Sequence, residues 1–133
     1  MSHPDWKDKT ILIAEDEKIN YLFMRALFAP TGAEILWASS GDQAIDICRT
    51  SNHVDLVLMD RMMLDRAGKE ATEQIKVVSP DLPIIGQTSV SRKNDREEAY
   101  RAGCDCFLNK PVKPGNLLAV VNQFLNGKLK VKS

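Results

Sequence analysis

The chain has 133 residues, room for one domain and not for a second. Its 18 Lys and Arg residues balance 18 Asp and Glu, which argues against direct nucleic-acid binding and against a membrane-surface protein. Lys128, Lys130 and Lys132 make the last residues, 127–133, a basic tail, and the rest of the chain is correspondingly acidic. The composition, 44% apolar and 27% charged, is that of a globular domain with its own core. The longest apolar run, Leu117–Val121, is too short to span a bilayer, and residues 1–10 lack the apolar core of a secretory signal, so a cytoplasmic location is expected. Cys48, Cys104 and Cys106 match neither redox nor zinc spacing and read as small buried thiols.

Thr10–Ala14 is a short β-branched run ending at Glu15-Asp16, the pattern of a strand buried on both faces. Ile19, Leu22, Phe23, Ala26 and Leu27 then recur at helical spacing, which predicts a helix buried along that stripe and ended by Pro30–Gly32. Ile35–Ala38 predicts a second strand. Ser40-Gly41-Asp42-Gln43 has capping-box spacing and opens a helix with Ala44, Ile47 and Cys48 inward. Val54–Met59 is the clearest strand, followed by a loop through Gly68 and a helix around Glu70–Val78. Leu82–Gln87 predicts a fourth strand. A polar helix follows over about Asn94–Ala102, with only Ala99, Tyr100 and Ala102 to bury and Gly103 as its left-handed cap. Cys104–Leu108 is the fifth strand, with Cys104 and Cys106 expected on one face, and Leu117, Val120, Val121, Phe124 and Leu125 stripe a last helix.

Strands alternating with helices over short connections predict a doubly wound α/β domain, a five-stranded parallel sheet with five helices on its two faces. The domain is expected to be single over 1–133, with its core over about 9–126. Ligands in such sheets bind at the carboxyl ends of the strands, near the point where strand order reverses. There the sequence offers Glu15 and Asp16 after the first strand, Asp60 after the third, Thr88 after the fourth and Lys110 after the fifth. Three carboxylates brought together repel unless a cation offsets them. Mg²⁺ suits an oxygen donor set of this kind, because it keeps several waters and leaves positions for phosphate oxygens. A hydroxyl at Thr88 and an ammonium at Lys110 could hold those oxygens.

The stretches Ile11-Leu12-Ile13-Ala14-Glu15-Asp16, Asp55–Asp60, Pro83–Thr88 and Ala102-Gly103 through Phe107 to Lys110-Pro111 make the chain resemble the receiver domains of two-component response regulators, from Lys9 to about Asn126. The resemblance implies the (βα)5 flavodoxin-like fold and phosphoryl transfer onto Asp60. The donor it implies is a sensor histidine kinase or a histidine phosphotransfer protein. By the same likeness Asp16 and Asp60 would bind Mg²⁺ directly and Glu15 through water, with the Met62 carbonyl as a further ligand. Thr88 and Lys110 would hold phosphoryl oxygens, and Phe107 would be the aromatic that moves with Thr88. A cis Lys110-Pro111 peptide is implied as well. The downstream partner is expected on the surface of the fourth helix, fifth strand and fifth helix. The polar fourth helix should be held loosely.

The family usually has proline four residues after the acceptor, where this chain has Leu64, so the geometry of that loop is less determined. Met62 and Val90 occupy positions that flank the phosphoryl group in the family. Neither side chain can orient a water, so slow loss of phosphate is expected. A metal-dependent aspartyl phosphatase is the alternative of another class. Haloacid-dehalogenase-like enzymes need an aspartate two residues past the nucleophile, and Met62 stands there. A receiver-like module that works without phosphorylation is the other alternative, against which the full set of polar strand-end residues argues. The chain reads as a regulatory protein and not as an enzyme.

Overall fold

The computed structural model describes residues 4–51, 53–60, 66–88, 93–109 and 112–126. Strand and helix alternate along it: β1 (Thr10–Ala14), α1 (Lys18–Phe28), a one-turn 3-10 helix (Ala29–Thr31), β2 (Glu34–Ala38), α2 (Gly41–Thr50), β3 (Leu56–Asp60), α3 (Arg66–Val78), β4 (Ile84–Thr88), α4 (Lys93–Ala102), β5 (Cys106–Asn109) and α5 (Pro114–Leu125). All strand pairs are parallel, in the order β2-β1-β3-β4-β5. This is the doubly wound α/β fold that the alternation predicts.

The sheet separates two cores, and each strand feeds both by its period of two. Leu12, Ala14, Val57, Met59, Ile84 and Phe107 face α2, α3 and α4, with Ala44, Ala71, Ile75 and Ala99 packed over them. On the other face Ile11, Ile13, Leu56, Leu58 and Ile85 meet Tyr21, Met24 and Phe28 of α1 and Leu117 and Val121 of α5. Strands covered on both sides read as unbroken apolar runs, which is why β1 and β3 are so plain in the sequence.

Several boundaries differ from the sequence expectation. The helix expected from about Glu70 begins at Arg66 and takes in Gly68, whose carbonyl accepts a bond from Thr72 Oγ1 at 3.0 Å. At α2 the cap is as predicted: Ser40 Oγ accepts from Gln43 N–H at 3.2 Å. The Gln43 side chain reaches back one residue further than expected and accepts from Ser39 N–H at 2.8 Å. Gly103 has φ 119°, and a Cβ there would come within 2.9 Å of Lys76 Cγ, so both backbone and space require glycine. Cys104 sits in the turn after Gly103, before β5, and the strand period does not reach it. It packs on the α2–α4 side, while Cys106 packs against the α1–α5 side, so the two thiols do not share a face.

The largest correction is at α1. Ile19 and Phe23, expected to be buried, are 80% and 68% exposed, and Leu22 is exposed too. Tyr21, Met24 and Phe28 are buried instead, on the opposite side of the helix. Both sides are apolar at helical spacing, so periodicity alone cannot choose between them. Tertiary partners choose: Tyr21 stacks on Trp37, Met24 Sδ accepts from Gln87 Nε2 at 3.7 Å, and Phe28 lies 6.1 Å from Trp6. Trp6 itself had no assigned role. It is buried, its indole N–H donates to Asn122 Oδ1 at 2.9 Å, and its backbone N–H donates to Thr31 C=O at 2.8 Å. It thereby ties the start of the chain to α5 and to the end of α1.

Burial pushes the Cys48 and Cys104 thiols from 9.0 up to about 11. An acid whose pKa is raised by folding supports the fold while it is protonated. That support is complete below about pH 9 and is lost as pH rises through about 11. The double variant Cys48→Ala, Cys104→Ala should therefore show a shallower fall of melting temperature across that window than the parent. Equal slopes would assign the alkaline loss to other groups.

Candidate functional site

The carboxyl ends of β1, β3, β4 and β5 lie along one edge of the sheet. Register fixes this: Ala14 pairs with Met59, Asp60 with Gln87, and Thr88 with Asn109. Strand order reverses between β1 and β3, the crevice where open parallel sheets bind ligands. Glu15 and Asp16 leave β1 on one side of that crevice, and Asp60 ends β3 on the other. Thr88 ends β4. Lys110 follows β5 directly, and with Met62, Leu64, Val90 and Pro111 it lies outside the described residues, as do the side chains of Asp60 and Thr88.

The β1–α1 turn is held by several hydrogen bonds. Glu15 is fully buried, its N–H donates to Ala38 C=O at 2.9 Å, and its Oε2 accepts from Glu17 N–H at 3.0 Å. Its carbonyl accepts from the Trp37 indole at 2.8 Å. Asp16 and Glu17 are exposed, and Glu17 Oε1 accepts from Asn20 Nδ2 at 2.9 Å. A buried carboxylate and a second acid thus leave β1 next to the strand that ends in a third acid, and oxygen donors of this kind suit Mg²⁺. Among the described residues no cluster of three His, Cys, Asp or Glu side chains forms, and the Asp60 side chain is not one of those residues.

Phe107 is buried against the α2–α4 core. Its backbone N–H donates to the Tyr100 hydroxyl at 3.1 Å, and the Arg96 guanidinium lies 5.7 Å from its ring centroid. Arg96 and Tyr100, four apart on one face of α4, hold the segment that leads to Lys110. Tyr100, a burial candidate by sequence, is exposed, while Ala99 and Ala102 are buried. The i, i+4 pairing was the available signal, though its target on β5 was not. Lys69 and Glu98 form an ion pair between α3 and α4.

Two clefts lie away from this edge. One of about 460 Å³, lined by Cys48, Arg49, Asp55, Val78 and Pro83, opens at the amino ends of β3 and β4. Another, of about 500 Å³, lies between α2 and α3 beside Asp42, Glu70 and Glu73. Among the described residues no helix is long and apolar enough to cross a membrane.

Removing the Tyr100 hydroxyl should free α4. We expect Tyr100→Phe to cost about 1 kcal/mol of stability and to speed amide exchange in α4 more than in α2. Equal exchange in both helices would show that this bond does not hold α4 in place.

Comparison with known proteins agrees with the geometry. The chain is 29% identical over 119 residues to the polar-differentiation response regulator DivK of Brucella ovis, an alignment covering 88% of this chain and 96% of that one. It superposes on a CheY-like response regulator receiver domain protein from Methanospirillum hungatei with TM-score 0.82 at 24% identity, covering 92% of this chain and 97% of the other. The receiver domain of a sensor histidine kinase from Pseudomonas aeruginosa is similar at TM-score 0.79 and 27% identity, over 89% of this chain and 98% of that one; its structure is described with a magnesium ion coordinated in the active-site cleft. Residues 11–122 match the response regulator receiver domain family, and the chain belongs to it.

Proposed function

We propose that this receiver domain, a single unit over 1–133, takes a phosphoryl group onto Asp60 from a phosphohistidine of a sensor histidine kinase or histidine phosphotransfer protein. The observation that carries the reading is the convergence of the buried Glu15 and of Asp16 with the end of β3 at the reversal of strand order. An Asp60 carboxylate oxygen forms the new bond to phosphorus as the donor's P–N bond breaks. Asp16, Asp60 and the Met62 carbonyl would hold Mg²⁺, with Glu15 acting through water. Bound there, the ion would neutralise charge on the phosphoryl oxygens. The Thr88 hydroxyl donates to one of those oxygens and the Lys110 ammonium pairs with another, which rewards a displacement of Thr88 toward the phosphate. Phe107 and its Arg96 and Tyr100 contacts relay that displacement to the surface of α4, β5 and α5, where a downstream protein binds. The reading is of a cytoplasmic regulatory switch and not of an enzyme with an external substrate.

Acetyl phosphate with Mg²⁺ should raise the mass by one phosphoryl group, and neither EDTA-treated protein nor Asp60→Asn should gain it. Modification of Asp60→Asn to the parent's extent would overturn the assignment. Steady hydrolysis of a generic phosphomonoester would favour the phosphatase alternative.

The donor's approach is also open to test. The exposed Ile19, Leu22 and Phe23 of α1 begin three residues after Asp16, beside the same edge, and give a helical donor an apolar seat. Phe23→Asp should slow transfer from a protein phosphohistidine donor by about tenfold or more, roughly the loss of one buried anchor, while leaving the reaction with acetyl phosphate unchanged. Equal loss with both donors would place Phe23 in folding instead.

A further inference from the structure

β1 ends at Ala14, yet the backbone is held for one residue more. The Glu15 N–H is taken by Ala38 C=O, and the Glu15 carbonyl accepts from the Trp37 indole N–H at 2.8 Å. A carbonyl just past a strand's last pairing ordinarily turns to water. Here a side chain of the neighbouring strand takes it. The indole cannot easily turn away, because its face lies on Tyr21 with ring centroids 4.6 Å apart and planes 7° from parallel. Arg25 in turn places its guanidinium 5.7 Å from the Tyr21 centroid. The stack therefore fixes one hydrogen-bond donor at one carbonyl.

That carbonyl belongs to the peptide plane shared with Asp16. Fixing the plane fixes the direction in which the chain leaves β1, and the Glu15 Oε2 bond to Glu17 N–H at 3.0 Å closes the turn behind it. We propose that Trp37 is a positioning residue: its indole N–H, held by Tyr21, orients the Glu15–Asp16 peptide so that this turn presents its carboxylates toward Asp60. Trp37 acts through the peptide plane and touches neither metal nor phosphate. The inference rests on the Mg²⁺ reading given above.

A purely structural role is the competing explanation, in which the ring only covers the β2 side of α1. Trp37→Phe separates the two, since it keeps an aromatic ring on Tyr21 and deletes the donor. Trp6→Phe is the control, because it deletes an indole N–H bond of similar length, 2.9 Å to Asn122, before the start of β1 at the opposite edge of the sheet. Mg²⁺ binding to the full chain is measured by titration calorimetry, with melting temperature alongside. Trp37→Phe should weaken Mg²⁺ binding about three- to tenfold, the worth of one hydrogen bond, while Trp6→Phe shifts it less than about twofold and still lowers the melting temperature. In the acetyl phosphate reaction Trp37→Phe should raise the half-saturating Mg²⁺ concentration and keep the rate at saturation. Tyr21→Leu, which removes the platform and leaves the indole, should weaken Mg²⁺ binding in the same direction.

A Trp37→Phe protein that binds Mg²⁺ as tightly as the parent would overturn the inference alone, as would equal weakening in Trp6→Phe. A parent that takes up no Mg²⁺ would overturn the metal reading and the inference with it.

Discussion

The structure depends on the burial of β1 between β2 and β3. Every residue from Thr10 to Glu15 is buried, and β1 pairs on both sides in parallel register. A strand enclosed in this way cannot slip, because a shift of one residue would exchange the two cores. It therefore delivers Glu15 and Asp16 to a fixed place, and the reversal of strand order leaves a crevice there. The neighbouring β3 must then end beside it at Asp60. The acidic edge is a consequence of topology, with local chemistry added at the last residue of each strand.

The same arrangement separates rigid from adaptable parts. The crevice side is braced by the Glu15 backbone bonds and by the aromatic stack at α1 and β2. α4 has a different make-up. It is polar along most of its length, buries Ala99 and Ala102, and is joined to β5 and α3 by Tyr100, Arg96 and the Lys69–Glu98 pair. Contacts of this kind cost little to rearrange compared with a packed apolar face. A switch needs a fixed site and a surface whose alternatives lie close in energy. α1 packs Tyr21, Met24 and Phe28 against the core and leaves Ile19, Leu22 and Phe23 exposed, the side that seats the donor in the proposed function.

Much of this was legible in the sequence. Doubly covered strands are continuous apolar runs, so β1 and β3 were plain, and their terminal acids followed directly. The capping box at Ser40 and the glycine at Gly103 were legible because each answers a local backbone need. The inward face of α1 was not. Two apolar faces on one helix leave periodicity without a preference, and the choice lies with Trp37, Gln87 and Trp6, which are remote in sequence. Cys104 was misplaced because strand alternation was carried into a turn. The roles of Trp6, Trp37 and Tyr100 rest on side-chain hydrogen bonds between different elements, which leave no pattern in the chain.

In the proposed function the turn after β1 and the end of β3 hold one Mg²⁺ ion between them. A double-mutant cycle of Mg²⁺ affinity over Asp16→Asn, Asp60→Asn and the pair tests it most directly, since groups that share a ligand are energetically coupled. One ion should bind per chain, with weaker binding in each single variant and a loss in the double variant that departs clearly from the sum of the two. Strictly additive losses, or Mg²⁺ binding indifferent to Asp60→Asn, would contradict it.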